Sequence, residues 1–134
     1  MILVLHIARV FRGPRWARLV LAVALVGILT AAFLPVGVAP VIGGSDWVSH
    51  GTAFAVLAVL MVVAFPRLPL VWGWVILAGV GVGIEIVQAI PFLGRGPSIV
   101  EAAYDAAVVA LVFIVLQLSG LRRVLQGGRR SSTR

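Results

Sequence analysis

LVWGWVILAGVGVGIEIVQAI, residues 70–90, decides how this chain folds. Glu85 and Gln88 are the two strongly polar side chains in an otherwise apolar run. A membrane-spanning helix needs about 20 such residues, so the stretch reads as a span with a carboxylate about a turn and a half before its far end. Moving outward, similar runs occur at about 19–34, 46–65 and 99–118. Hydrophobic residues make up 62% of the chain and charged residues 11%, against roughly 45–50% and about 25% in a soluble domain. The reading is all-α: a polytopic membrane protein, a bundle of four transmembrane helices.

The breaks between runs carry helix-disfavouring residues. Residues 35–45 are rich in Pro and Gly, and Pro66-Arg67-Leu68-Pro69 is a tight turn. The domain organisation is a basic cytoplasmic or interfacial segment at 1–18, a transmembrane domain at 19–118, and a basic cytoplasmic tail at 119–134. The first segment sets Arg9, Arg12, Arg15 and Arg18 among bulky apolar residues, as a stretch lying on an anionic leaflet does. His6 reads as an interfacial surface histidine. A basic start before an apolar run also resembles a signal peptide, but no good small-x-small cleavage site follows, so a retained first helix is expected. Beyond Gln126 the Gly/Ser/Arg tail is expected to be disordered.

Charge fixes the expected orientation. The chain has eleven basic residues, all arginine, and a formal net charge of +7. Ten arginines fall in the N-terminal segment, the 66–69 turn and the tail, and Arg95 alone falls on the other side. The positive-inside rule places both termini in the cytoplasm of a bacterial cell, with the chain in the cytoplasmic membrane. The partner implied by the arginines is the bilayer and its anionic inner leaflet. Nucleic acid is excluded, because the arginines flank apolar runs without aromatic interleaving. Trp16, Trp72 and Trp74 are expected at the inner interface and Trp47 at the outer one. The absence of cysteine excludes disulfides and thiolate chemistry.

All four acidic residues, Asp46, Glu85, Glu101 and Asp105, fall near the outer ends of spans, as do His50 and Arg95. Asp46 and His50 are four apart, on one helical face, so the carboxylate is placed to orient the imidazole; Asp46 also reads as a helix cap and His50 as a packing histidine. Glu85 is the sharpest signal. An aspartate at the centre of a span costs about 2.5–3.5 kcal/mol on insertion scales, and a glutamate there calls for a partner or a wet cavity. The alternative for Glu85 is a structural ion pair with Arg95. Gln88 shares its face. Gly79 and Gly83 form a small-xxx-small face suited to helix packing.

Ser98 to Glu101 spell a capping box opening the fourth span. Asp105 lies one turn deeper on the face of Glu101 and cannot cap. With histidine neutral, the layer carries a formal charge of −3 from four carboxylates and Arg95. Such a layer takes up protons or binds a cation, and oxygen ligands with one histidine suit a divalent metal such as magnesium, calcium, manganese or zinc. The spacing matches no specific metal motif, so the cofactor stays open and no metal ligands are assigned. A serine triad using Ser45, Ser49 or Ser98 with His50 is weaker, because no nucleophile elbow is present.

From Asp46 onward the pattern resembles the VanZ-like family of small bacterial membrane proteins, named for a protein of teicoplanin resistance. Asp46-Trp47-Val48-Ser49-His50 is similar to the family's Asp-x-x-x-His at a span start, with Phe54 at a usual aromatic position. Glu85-Ile86-Val87-Gln88 is similar to its Glu-x-x-Gln, and Arg95-Gly96-Pro97-Ser98 with Glu101 to its Arg…Ser…Asp stretch. The resemblance covers about residues 45–116. Trp47 stands where the family has lysine, Glu101 and Asp105 where it has Asp then Asn, and Val108 where it has glycine. The resemblance implies an envelope role at the outer membrane side, antibiotic resistance, for at least one member, as lowered lipoglycopeptide sensitivity, and a cell-wall precursor or glycopeptide as ligand; it implies no settled reaction.

The expected function is therefore binding or modifying an envelope or glycopeptide-related ligand at the outer polar cluster. Glu85, His50 and Asp46 are the candidate catalytic residues, and Gln88, Arg95, Ser98, Glu101 and Asp105 the candidate ligand-binding residues. One alternative is a membrane-embedded, metal-assisted hydrolase or transferase on a lipid-linked substrate, with Glu85 or His50 as base, Asp46 as its orienter, and Glu101 with Asp105 as metal ligands. Another is a small proton-coupled carrier in which Glu85 titrates. Oligomeric state is not readable from the sequence.

Overall fold

The computed structural model describes residues 14–35, 37–38, 40–94 and 96–127. The interfacial segment up to residue 13 with His6, the end of the tail and Arg95 lie outside the described residues. Among the described residues the regular structure is helical. Four helices are long and apolar enough to cross a membrane: α1 (Arg15–Ala32), α2 (Asp46–Ala64), α3 (Leu70–Gln88) and α4 (Ile99–Leu118). At 1.5 Å per residue their lengths, about 27–30 Å, match a bilayer's hydrocarbon thickness. A short helix, α5 (Leu121–Gly127), follows.

Four boundaries differ from the sequence reading: α1 ends at Ala32 rather than residue 34 and α2 at Ala64 rather than residue 65, and two larger differences have a clear cause. Helix α1 opens at Arg15 rather than residue 19, because Pro14 sits in an extended conformation at its N-cap and Ala17 is already completely buried in the first turns. Arg15 and Arg18 thus ride on the helix. Helix α3 closes at Gln88 rather than residue 90. Pro91 biases the residue before it away from helix, and Ile90 is extended at ψ 121°. A 3-10 turn at Pro91–Leu93 then ends on Gly94 at φ 63°, a left-handed position that favours glycine.

Helix α4 packs against both α2 and α3, and α1 packs mainly against α2. The core is Phe54, Leu57, Ala58, Leu77, Ile84 and Val109. On α3 the buried positions are Gly73, Leu77, Gly81, Ile84, Glu85 and Gln88, one stripe of a 3.6-residue period. That corrects the packing face: a methyl added at Gly79 or Gly83 would meet nothing, whereas one at Gly81 would touch Phe54 at 3.4 Å and one at Gly73 would press Phe113 at 3.2 Å. The outer surface stays apolar, with Val23, Ile86 and Leu111 each more than 60% exposed. Such a surface suits hydrocarbon, not water.

The α2–α3 turn and α5 close one end of the bundle. Leu118, Ser119 and Gly120 lead out of α4, and Gly120 (φ 71°) turns the chain in the left-handed conformation common just past a helix end. The Arg122 guanidinium then donates to the Leu68 carbonyl at 2.7 Å and the Pro66 carbonyl at 3.3 Å, and Gln126 donates to Pro66 at 2.7 Å. Partial burial lowers the Arg122 pKa from its ordinary value. The tail therefore begins as an ordered clamp on the 66–68 turn.

Candidate functional site

The opposite end gathers the polar side chains. It is built by the start of α2, the end of α3 and the start of α4, joined by two bonds between distant segments. His50 Nδ1 lies 3.0 Å from Asp105 Oδ2, with Asp105 only 1% exposed. The Ser98 backbone N–H donates to Glu85 Oε2 at 2.6 Å. Gln88 Nε2 donates to the Ala32 carbonyl at 2.9 Å, which ties α1 to the same end.

Local packing explains the first bond. Gly51 follows His50, and a methyl placed there would fall 2.7 Å from the Tyr104 hydroxyl. Without a side chain at 51, α4 comes close to α2, and the residues beside the contact, His50 and Asp105, meet across it. Tyr104 is held in turn by an edge-on Trp47 ring at 5.0 Å. The expectation that Asp46 orients His50 is therefore corrected: Asp105 does so. Ser45 is the N-cap residue of α2, and Asp46 is its first helical residue, where a carboxylate complements the positive end of the helix dipole.

The second bond rewrites the capping box. Ser98 Oγ accepts from the Glu101 N–H at 3.2 Å, the expected half. The other half pairs the N-cap N–H with the side chain three residues on. Here that N–H goes to Glu85, from another helix. The Glu101 carboxylate is thus released from the cap. It turns to the site: one donor atom each of His50, Glu85 and Glu101 lie within 4.8 Å of one another.

Two buried oxygens at this end, Glu85 Oε1 and Asp105 Oδ1, have no hydrogen-bond partner among the described residues. Nor does any arginine among the described residues form an ion pair with an acid there; the contact in this layer is His50 with Asp105, an ion pair only when the imidazole is protonated. The alternative of an ion pair between Glu85 and Arg95 falls on Arg95, which lies outside the described residues.

Beside His50 a cavity of about 200 Å³ opens between α1 and α2. Asp46, Ser49 and His50 form its polar side, and Ile28, Ala31, Phe54 and Ile84 part of its apolar wall. Ser49 Oγ donates to the Ser45 carbonyl at 3.0 Å and accepts from the Ile42 N–H at 2.7 Å, so this hydroxyl secures the incoming loop and does not pair with His50. Ser98 is likewise a cap. The serine-triad expectation finds no hydroxyl on His50. Trp74 donates Nε1–H to the Ala106 carbonyl at 2.9 Å, so its polar tip bonds α4.

Of the sequence candidates, His50, Glu85, Ser98, Glu101 and Asp105 come together. Asp46 borders the adjoining cavity, and Gln88 serves the α1 contact. Gly51 and Tyr104 were not legible as site-builders; a glycine beside a histidine inside a span was the available signal. Compared with known proteins, the chain matches no family model, no curated protein and no solved structure.

Proposed function

We propose that this chain is a VanZ-like protein of the bacterial cytoplasmic membrane that binds or modifies an envelope ligand at an outward-facing polar end. The observation that carries this reading is the convergence of three separate segments. The pieces that resemble the family are residues 46–50, 85–88 and 95–98 with Glu101. The Glu85–Ser98 bond joins the last two, and the first is tied to α4 by the bond from His50 to Asp105, a position where the chain departs from the family. Charged side chains near hydrocarbon mark a site when they face one another.

Sidedness is argued from arginine. Arg15, Arg18, Arg67, Arg122 and Arg123 lie toward the end closed by α5, and the acids lie at the other. The positive-inside rule then sets the polar end outside and both termini in the cytoplasm. The cavity's apolar wall and polar side suit a lipid-linked cell-wall precursor, or the lipid-bearing glycopeptide that competes for one, because each combines an apolar tail with a polar head.

The test is expression in a teicoplanin-sensitive bacterial host. Wild type is expected to raise the concentration of teicoplanin needed to stop growth. His50→Ala and Glu85→Ala, made at equal membrane abundance, are expected to lose the effect. Equal sensitivity of wild type and empty vector contradicts the reading.

A further inference from the structure

We propose that His50, Glu85 and Glu101 together hold a divalent cation, zinc or manganese. The inference rests on the reading of this end as a ligand site, and not on its sidedness or its resemblance to any family.

Three observations carry it. Donor atoms from three different helices, one imidazole nitrogen and two carboxylate oxygens, lie within 4.8 Å of one another. Glu85 is 6% exposed, and its Oε1 has no hydrogen-bond partner among the described residues, although Oε2 is satisfied by Ser98. Native structures rarely leave a buried carboxylate oxygen orphaned, and Glu85 Oε1 shares that condition with Asp105 Oδ1 at the same end, so the buried end of the cluster has carboxylate lone pairs to offer a cation. Finally, Glu101 stands at a capping-box position with its carboxylate displaced from the cap by Glu85.

The arrangement around His50 fits the same ligand. Its Nδ1 is held by Asp105, which leaves Nε2 to ligate. A carboxylate behind a metal-bound histidine fixes the ring's tautomer and orientation. Zinc bonds to nitrogen and oxygen at about 2.0–2.2 Å, so a tetrahedral ion holds its donors roughly 3.4 Å apart. Glu101 is half-buried in the first turn of α4, so its donor sits on a partly open side chain. One imidazole with two carboxylates matches zinc or manganese better than calcium or magnesium, which favour all-oxygen sets. Three protein donors leave a position open for water or ligand.

The test uses full-length protein in detergent at neutral pH, stripped with a chelator and titrated separately with zinc and manganese. Elemental analysis after gel filtration reads bound metal, and thermal unfolding reads the linked stabilisation. The expectation is one ion per chain and a higher midpoint with at least one of the two metals. Glu85→Gln and Glu101→Gln are each expected to lower affinity at least tenfold, and Asp105→Asn about 10- to 100-fold. Arg67→Gln, at the far end, is expected to bind as wild type. Glu101→Gln keeps the test decisive should Glu85→Gln fail to fold. No retained ion with either metal, or unchanged affinity in Glu101→Gln, overturns the proposal. An intact teicoplanin phenotype without metal sinks the cation alone; bound metal without a phenotype sinks the envelope reading alone.

Discussion

His50 and Asp105 are joined Nδ1 to Oδ2 at 3.0 Å between α2 and α4. The two residues are unequally buried, the His50 side chain at 10% and Asp105 at 1% exposure. Loss of either partner therefore has different consequences. His50→Ala strands a buried carboxylate and is expected to cost about 3–5 kcal/mol. Asp105→Ala strands a ring nitrogen near the surface of the site and is expected to cost about 1–3 kcal/mol. Denaturant unfolding in micelles measures both. The double variant is expected to cost less than the sum, by about 0.5–3 kcal/mol; strict additivity would mean that the contact contributes nothing.

The bond from Ser98 to Glu85 comes from the main chain, so side-chain and backbone changes at 98 separate its two roles. Ser98→Ala removes the cap oxygen and keeps the N–H; a loss of about 1 kcal/mol is expected. Ser98→Pro also removes the N–H and leaves both Glu85 oxygens without a donor among the described residues, so it is expected to destabilise clearly more. Equal midpoints for the two variants in thermal unfolding would count against the Glu85 contact.

How far the sequence disclosed this site depends on which force sets each feature. Spans and turns were legible because length, apolarity and proline act locally, and the 99–118 helix matches to the residue. The polar residues stood out because charge is rare near hydrocarbon. Pairings were not legible. Spacing of four places Asp46 and His50 on one face of α2, but the approach of α4 at Gly51 decides what His50 meets. The capping box showed the same failure. Local pattern assigned the Ser98 N–H to Glu101, and a carboxylate 13 positions upstream took it. Glycines misled likewise, since the contact stripe is set by the rotation of α3, which leaves Gly79 and Gly83 without neighbours and buries Gly73 and Gly81.

Glycine substitutions test that packing. Gly79→Ala meets open space and is expected to stabilise by up to about 1 kcal/mol through helix propensity. Gly51→Ala places its methyl 2.7 Å from the Tyr104 hydroxyl, forces α4 away or displaces the ring, and is expected to destabilise by about 1–3 kcal/mol. Circular-dichroism melts rank the two. A neutral Gly51→Ala would show that the α2–α4 approach is looser than described.

The clamp on the 66–68 turn gives a prediction remote from the site. Arg122→Ala removes a charged donor from the Leu68 and Pro66 carbonyls and is expected to cost about 1.5–3 kcal/mol. Metal binding at the polar end is expected to stay unchanged, because the clamp lies at the opposite end. Unfolding midpoints and bound-metal analysis on the same sample check both halves.

Orientation of the polar end is the claim on which the functional reading turns, and the cysteine-free chain permits a direct measurement. Gly43→Cys, Leu93→Cys and Arg67→Cys are introduced singly and exposed, in intact cells with a permeable outer envelope, to a membrane-impermeant thiol reagent. Labelling at 43 and 93, with 67 modified only after lysis, is the expected result. Labelling at 67 in intact cells, with 43 and 93 protected until lysis, would put the carboxylates in the cytosol and contradict the account.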